Sequence, residues 1–214
     1  NETALASMQI SGPLLWSLFS VFAAFIAGTM AILGRAVGSV QPEKAQRALS
    51  SIMVFGFLLG MVVSVACMVL RPWFAEVLSG STGTDEVQSL AVTYMGVVLI
   101  GLPLNMVHIT GVTALQADGD TRTPMWISVI QGVLNLLLSW VLLWGYGPFP
   151  EWGIFGAGVG TLASISTGAF AVLWVLSRRE GIVKLRFRYT PSWSALNPVL
   201  RISGPAFAEK IAFH

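Results

Sequence analysis

Long apolar runs alternate with short polar ones along this chain. Asp, Glu, Lys and Arg are missing from Thr3 to Gly34, Ala48 to Leu70, Val87 to Ala117, Thr123 to Pro150 and Trp152 to Ser177. A helix rises 1.5 Å per residue, so about 20 residues cross a hydrocarbon core of about 30 Å. Each run is long enough, and soluble core helices are seldom this long and apolar on every face. The pattern predicts an all-α polytopic transmembrane helical bundle with spans over 9–38, 47–70, 87–117, 124–147 and 153–178. A sixth apolar stretch opens near Leu196. The domain reading is a lobe over 1–178, a basic connector over 179–195 and the start of a further helix over 196–214.

The most informative break is Gln116-Ala117-Asp118-Gly119-Asp120-Thr121-Arg122-Thr123-Pro124, between two charge-free runs. Gly119 suits the positive φ at a helix end. Thr123 is expected to cap the next helix and Pro124 to take its first position, where a missing N–H costs nothing. The result is a transmembrane hairpin. Small residues recur every fourth position at Gly56, Gly60 and Ser64, and again at Gly156, Gly160, Ser164 and Gly168. Such stripes let helix backbones approach closely. Pro103, at the middle of its span, removes a backbone hydrogen bond and is expected to bend the helix. From Lys184 to Tyr189 basic residues alternate with Leu185, Phe187 and Tyr189. That period of two predicts a connector lying against anionic lipid headgroups rather than nucleic acid.

Composition agrees. Charged residues make up 10% of the 214, against roughly 25% in ordinary globular chains, and the mean hydropathy is +0.75. One cysteine and two histidines rule out a disulfide framework or a multi-Cys zinc site. Charge placement sets a direction. Arg35, Lys44, Arg47, Arg122, Arg178, Arg179, Lys184, Arg186 and Arg188 fall in alternate loops, and the loops between them hold only Arg71. The positive-inside rule places residue 1 on the outer side, and the expected location is a bacterial or archaeal cytoplasmic (inner) membrane. The start at Asn1 and the apolar last residues, Ile211 to His214, read as a fragment of a longer protein.

Candidate chemistry is sparse. Ser128, Gln131, Asn135 and Ser139 are spaced by 3 or 4, one stripe of a helix, with Asn135 near mid-depth. An amide there needs a partner: either a helix–helix hydrogen bond, or a cation or substrate. Thr161 and Ser164 offer hydroxyls, although such groups commonly bond their own i−4 carbonyls. His108 reads first as a satisfied structural group and second as a proton carrier. Glu209 is a carboxylate inside an apolar segment, with Lys210 beside it. No cofactor or metal motif is present, and no enzyme mechanism is supported: His108, Asp118, Asp120 and Glu209 form no recognisable catalytic set.

The residues Tyr94-Met95, Gly101-Leu102-Pro103, Gly119-Asp120-Thr121-Arg122-Thr123-Pro124, Asn135 and Gly153-Ile154-Phe155-Gly156-Ala157 together resemble the MATE (multidrug and toxin extrusion) family of antiporters. Gly34 to Gly38 with Glu43-Lys44-Ala45 is similar to that family's loop between helices 2 and 3. Gly204-Pro205 with Glu209 is similar to the opening of helix 7. The resemblance implies helices 2–6 and the start of helix 7 of a two-lobed transporter, the second lobe lying beyond this chain. It implies export of a drug-like small molecule, cationic or amphipathic, in exchange for Na⁺ or H⁺ by alternating access. The substrate or cation candidates are then Asn135, Gln131, Ser139, Thr161 and Glu209. Gly119, Asp120, Thr121, Arg122, Pro124 and Pro103 form the structural motif. One departure stands out: Ser139 follows Asn135 where one branch of the family has an aspartate. The alternative is a lipid-linked oligosaccharide flippase of the same superfamily, which would line its cavity with Lys or Arg.

Overall fold

A computed structural model describes Phe22, residues 25–79, 85–145 and 150–185, and Asn197. We number its helices α1 (Phe25–Gly38), α2 (Pro42–Ser79), α3 (Asp85–Ile100), α4 (Leu102–Ala117), α5 (Arg122–Trp144) and α6 (Gly153–Arg178). No strand occurs among the described residues. Pro42–Arg71, α5 and α6 are each long and apolar enough to cross a membrane, and α3 with α4 is so only as a pair, bent at a short break.

The bundle is apolar inside and out. Leu33, Leu49, Ile52, Met95, Leu99, Met106, Leu115 and Val172 are fully buried. Val62, Val69, Leu136 and Phe170 are more than 60% exposed, at a surface where a water-soluble protein would carry charge. Lipid is the solvent that suits it. Exposed tryptophans stand near helix ends, Trp126 and Trp174 at one end of the α5–α6 pair and Trp144 and Trp152 at the other, as in interfacial aromatic belts.

The glycine stripes are contact seams. A Cβ on Gly160 would stand 2.6 Å from the Ser139 nitrogen, and one on Gly156 would stand 2.5 Å from the Leu142 carbonyl oxygen. Only a residue without a side chain lets α5 and α6 meet so closely. On α2, a Cβ on Gly60 would lie 2.8 Å from Pro103 Cα.

The span read as 87–117 is two helices, bent by 48° at Gly101. Pro103 sits in the first turn of α4 and donates nothing to Leu99, its i−4 carbonyl. Ser64 supplies the missing donor: its hydroxyl donates to the Leu99 carbonyl at 2.7 Å. The bend is therefore satisfied from α2, by the same small-residue stripe that lets α2 approach.

The α4–α5 turn is a Schellman motif. Gly119 has φ +82, its N–H donates to the Gln116 carbonyl, and Asp120 N–H donates to that of Leu115. Helix α5 then starts at Arg122, two residues earlier than the turn chemistry predicts. Thr123 is not the cap but the capped residue: its N–H donates to Asp120 Oδ1 at 3.0 Å and its hydroxyl to Oδ2 at 2.7 Å. Pro124 falls in the first turn, where no N–H is required.

Beyond α6 the chain folds back. Leu185 N–H donates to the Leu176 carbonyl, and Val183 and Leu185 are buried on either side of the half-exposed Lys184. Residues 186–196, 198–214 and the candidate Glu209 lie outside the described residues.

Candidate functional site

Three helices converge on one polar cavity of about 410 Å³, lined by Asn105 of α4, Ser128, Gln131, Gly132 and Asn135 of α5, and Thr161, Ser164 and Ile165 of α6. Helices α5 and α6 contribute through spacing of 3 or 4, which keeps their polar residues on one stripe, and α4 adds Asn105 alone. Asn135 Nδ2 donates to Thr161 Oγ1 and to Ser164 Oγ, both at 3.2 Å. Those hydroxyls donate in turn to their own helix, Thr161 to the Ala157 carbonyl at 3.1 Å and Ser164 to the Thr161 carbonyl at 2.8 Å. With its amide nitrogen held by two hydroxyl oxygens, Asn135 ties α5 to α6 while lining the cavity.

Of the residues singled out from sequence, Asn135, Gln131 and Thr161 share this cavity with Ser128 and Ser164. Ser139 does not line it; its hydroxyl donates to the Ala157 carbonyl at 3.3 Å, within the α5–α6 seam. Asn105, only 8% exposed, was missed. It carries the same signal as Asn135, an amide in a charge-free run. Among the described residues no Lys, Arg, Asp or Glu lines the cavity, and no group of three His, Cys, Asp or Glu is placed to hold a metal ion.

The second polar cluster lies at the helix ends. Arg179, just beyond α6, pairs with Asp118 at 3.2 Å and in closer contact with Asp120. Hydrogen bonds from the Thr123 N–H and hydroxyl, aided by the Arg179 guanidinium, bring the Asp120 carboxyl down to about 2. The GDTRTP turn is thereby locked to the end of α6, a pairing that no local spacing reveals. Arg122 is exposed at the start of α5.

Apolar outer faces and several helices long and apolar enough to cross a bilayer define a multi-pass integral membrane protein. The MatE family model matches residues 1–141, and the chain belongs to the MATE family, whose members are transporters rather than enzymes. It is 28% identical to the probable multidrug resistance protein NorM of Thermotoga maritima, over 98% of this chain and 45% of that protein. It is 32% identical to a FAD transporter of Shewanella oneidensis, over 75% of this chain and 35% of that protein. A solved outward-facing multidrug resistance MATE transporter superimposes with a TM-score of 0.83 at 22% identity, over 99% of this chain and 46% of that one, a likeness of fold. The chain spans about half the length of the relatives it matches.

Proposed function

We propose that these residues form the first lobe of a multidrug exporter that exchanges a cationic or amphipathic small molecule for Na⁺ or H⁺. The observation that carries this is the open cleft between α4, α5 and α6 lined by amides and hydroxyls, in a chain of the MATE family. In this reading the lobe sits in the cytoplasmic membrane with residue 1 outside and the 179–195 connector inside. A second lobe closes the transport cleft. Asn135, Gln131 and Thr161, joined by Asn105, make polar contacts to substrate. An amide or hydroxyl oxygen favours a cation over an anion only weakly, so selection among substrates falls to shape and to apolar walls. The flippase reading is disfavoured because no basic side chain among the described residues lines the cavity.

A second reading takes its support from the 32% identity to the FAD transporter, since a neutral cavity does not forbid an anionic dinucleotide. The deciding experiment loads proteoliposomes of the full-length protein with ethidium or FAD and imposes Na⁺ and pH gradients separately. Gradient-driven ethidium movement supports the multidrug reading. FAD movement alone supports the second, and no movement of either sinks both.

A further inference from the structure

His108 stands one helical turn along α4 from Asn105, on the side of the 118–121 turn. Its residue is 8% exposed, and its Nδ1 is buried with no hydrogen-bond partner. Buried polar atoms in folded proteins are nearly always paired, and one that is not calls for a reason. The nitrogen faces Gly168 of α6. A Cβ on Gly168 would stand 2.9 Å from His108 Nδ1 and 2.5 Å from Gln131 Oε1. The missing side chain thus leaves a notch that an imidazole nitrogen and an amide oxygen share, and the Gly168 carbonyl also faces the ring. Gln131 lines the Asn135 cavity as well, so notch and cavity have a common wall.

The electrostatic surroundings are equally spare. Helix α4 contains no Asp, Glu, Lys or Arg. The charged residues of α5 and α6 are Arg122 and Arg178, each at a helix end. Those of α2 are Glu43, Lys44 and Arg47 at one end and Arg71 and Glu76 toward the other. Arg35 closes α1, and α3 holds Asp85, Glu86 and Tyr94. Asp118, Asp120 and Arg179 are tied to one another at the turn. Among the described residues, His108 is the ionisable group of Asp, Glu, His, Lys and Arg that lies inside a span and beside the cavity.

We propose that His108 is a proton-binding site, shaped by Gly168 and Gln131, whose charge sets how tightly the neighbouring cavity holds a cationic substrate. The proposal rests on the transport function above and names the proton as an ion coupled to this lobe. A hydronium ion gives its proton to the free ring nitrogen: one N–H bond forms, one O–H bond breaks, and the donor leaves as water. The imidazolium carries an N–H on Nδ1, which faces the notch where Gln131 Oε1 and the Gly168 carbonyl can accept it. Gln131 is drawn away from the cavity, and the new positive charge repels a cation bound there. Substrate and proton therefore exclude each other, as exchange requires, and deprotonation to water restores the empty site.

The test uses the full-length protein in detergent, labelled with ¹⁵N-histidine, with the His108 signal identified by its loss in H108Q. The ring signal is expected to pass from neutral to charged as the pH is lowered, and saturating tetraphenylphosphonium is expected to move that midpoint to lower pH. A signal that stays neutral throughout, with and without the cation, overturns the proposal. In parallel, wild-type affinity for ethidium should weaken several-fold from pH 8 to pH 6, and H108Q should bind equally at both. An H108Q profile that follows the wild type overturns the proposal while leaving transport intact. If H108Q does not fold, a Gly168→Ala comparison identifies the signal and the wild-type titration decides. If the wild type binds and moves no cation, the transport reading fails instead, and a silent titration removes the proton site separately.

Discussion

Asp120→Ala removes one carboxylate that serves three partners at the start of α5. Asp120 accepts the Thr123 N–H at 3.0 Å and its hydroxyl at 2.7 Å, and it pairs with Arg179. Losing an N-cap acceptor costs about 1 kcal/mol. Arg179 keeps Asp118 at 3.2 Å, and its side chain is 25% exposed, so the ion-pair contribution adds no more than about 1 kcal/mol. The variant should lose about 1–2 kcal/mol, a fall of roughly 2–8 °C in Tm for a chain of this size. Asp120→Asn keeps an acceptor for Thr123 and should lose about half as much. The pH dependence follows from the direction of the shift. The folded-state carboxyl is depressed to about 2, below its unfolded value of about 3.9. Its stabilisation is therefore complete above about pH 4 and disappears as pH falls through that range toward 2. Tryptophan-fluorescence melts in detergent should show a constant gap between wild type and variant from pH 8 to 5, closing on acidification. No gap at pH 7, or a gap that widens in acid, would refute the reasoning.

Three further outcomes are expected. Asn135→Ala in the full-length protein should reduce drug resistance without lowering membrane abundance; unchanged resistance would remove Asn135 from the site. Ser64→Ala leaves the Leu99 carbonyl at the bend without its donor, a loss of about 1–3 kcal/mol, read as a lower Tm with normal insertion, whereas Ser64→Thr, which keeps the hydroxyl, should recover part of it. Gly160→Val pushes a side chain into the Ser139 backbone, 2.6 Å from where its Cβ would sit. It should disperse the α5–α6 pair, seen as lost monodispersity in size-exclusion chromatography, while Gly132→Ala, with no atom within 4 Å of the added Cβ, should be tolerated.

What the sequence revealed and what it hid divide along physical lines. Hydrophobic runs and small-residue stripes are local periodicities, so α6 and the seams at Gly156 and Gly160 were legible. The cavity was half legible, because Ser128, Gln131 and Asn135 lie on one stripe of a single helix, whereas Asn105 enters from α4 and only packing brings it in. Pro103 announced the bend, but the donor that completes it, Ser64, is 35 residues from Leu99. The cap was misplaced for a related reason. Thr123 and Asp120 are both good capping residues, and Arg179, 59 residues away, tips the balance toward Asp120 as the acceptor. The notch at His108 was hidden altogether, since a lone histidine reads the same whether or not its nitrogen is paired.

Gradient-driven export by the full-length protein bears most directly on the central claim. Proteoliposomes preloaded with ethidium should release it when a Na⁺ or proton gradient is imposed and retain it when the gradient is collapsed, and Asn135→Ala should slow that release. Equal retention with and without either gradient would contradict the account.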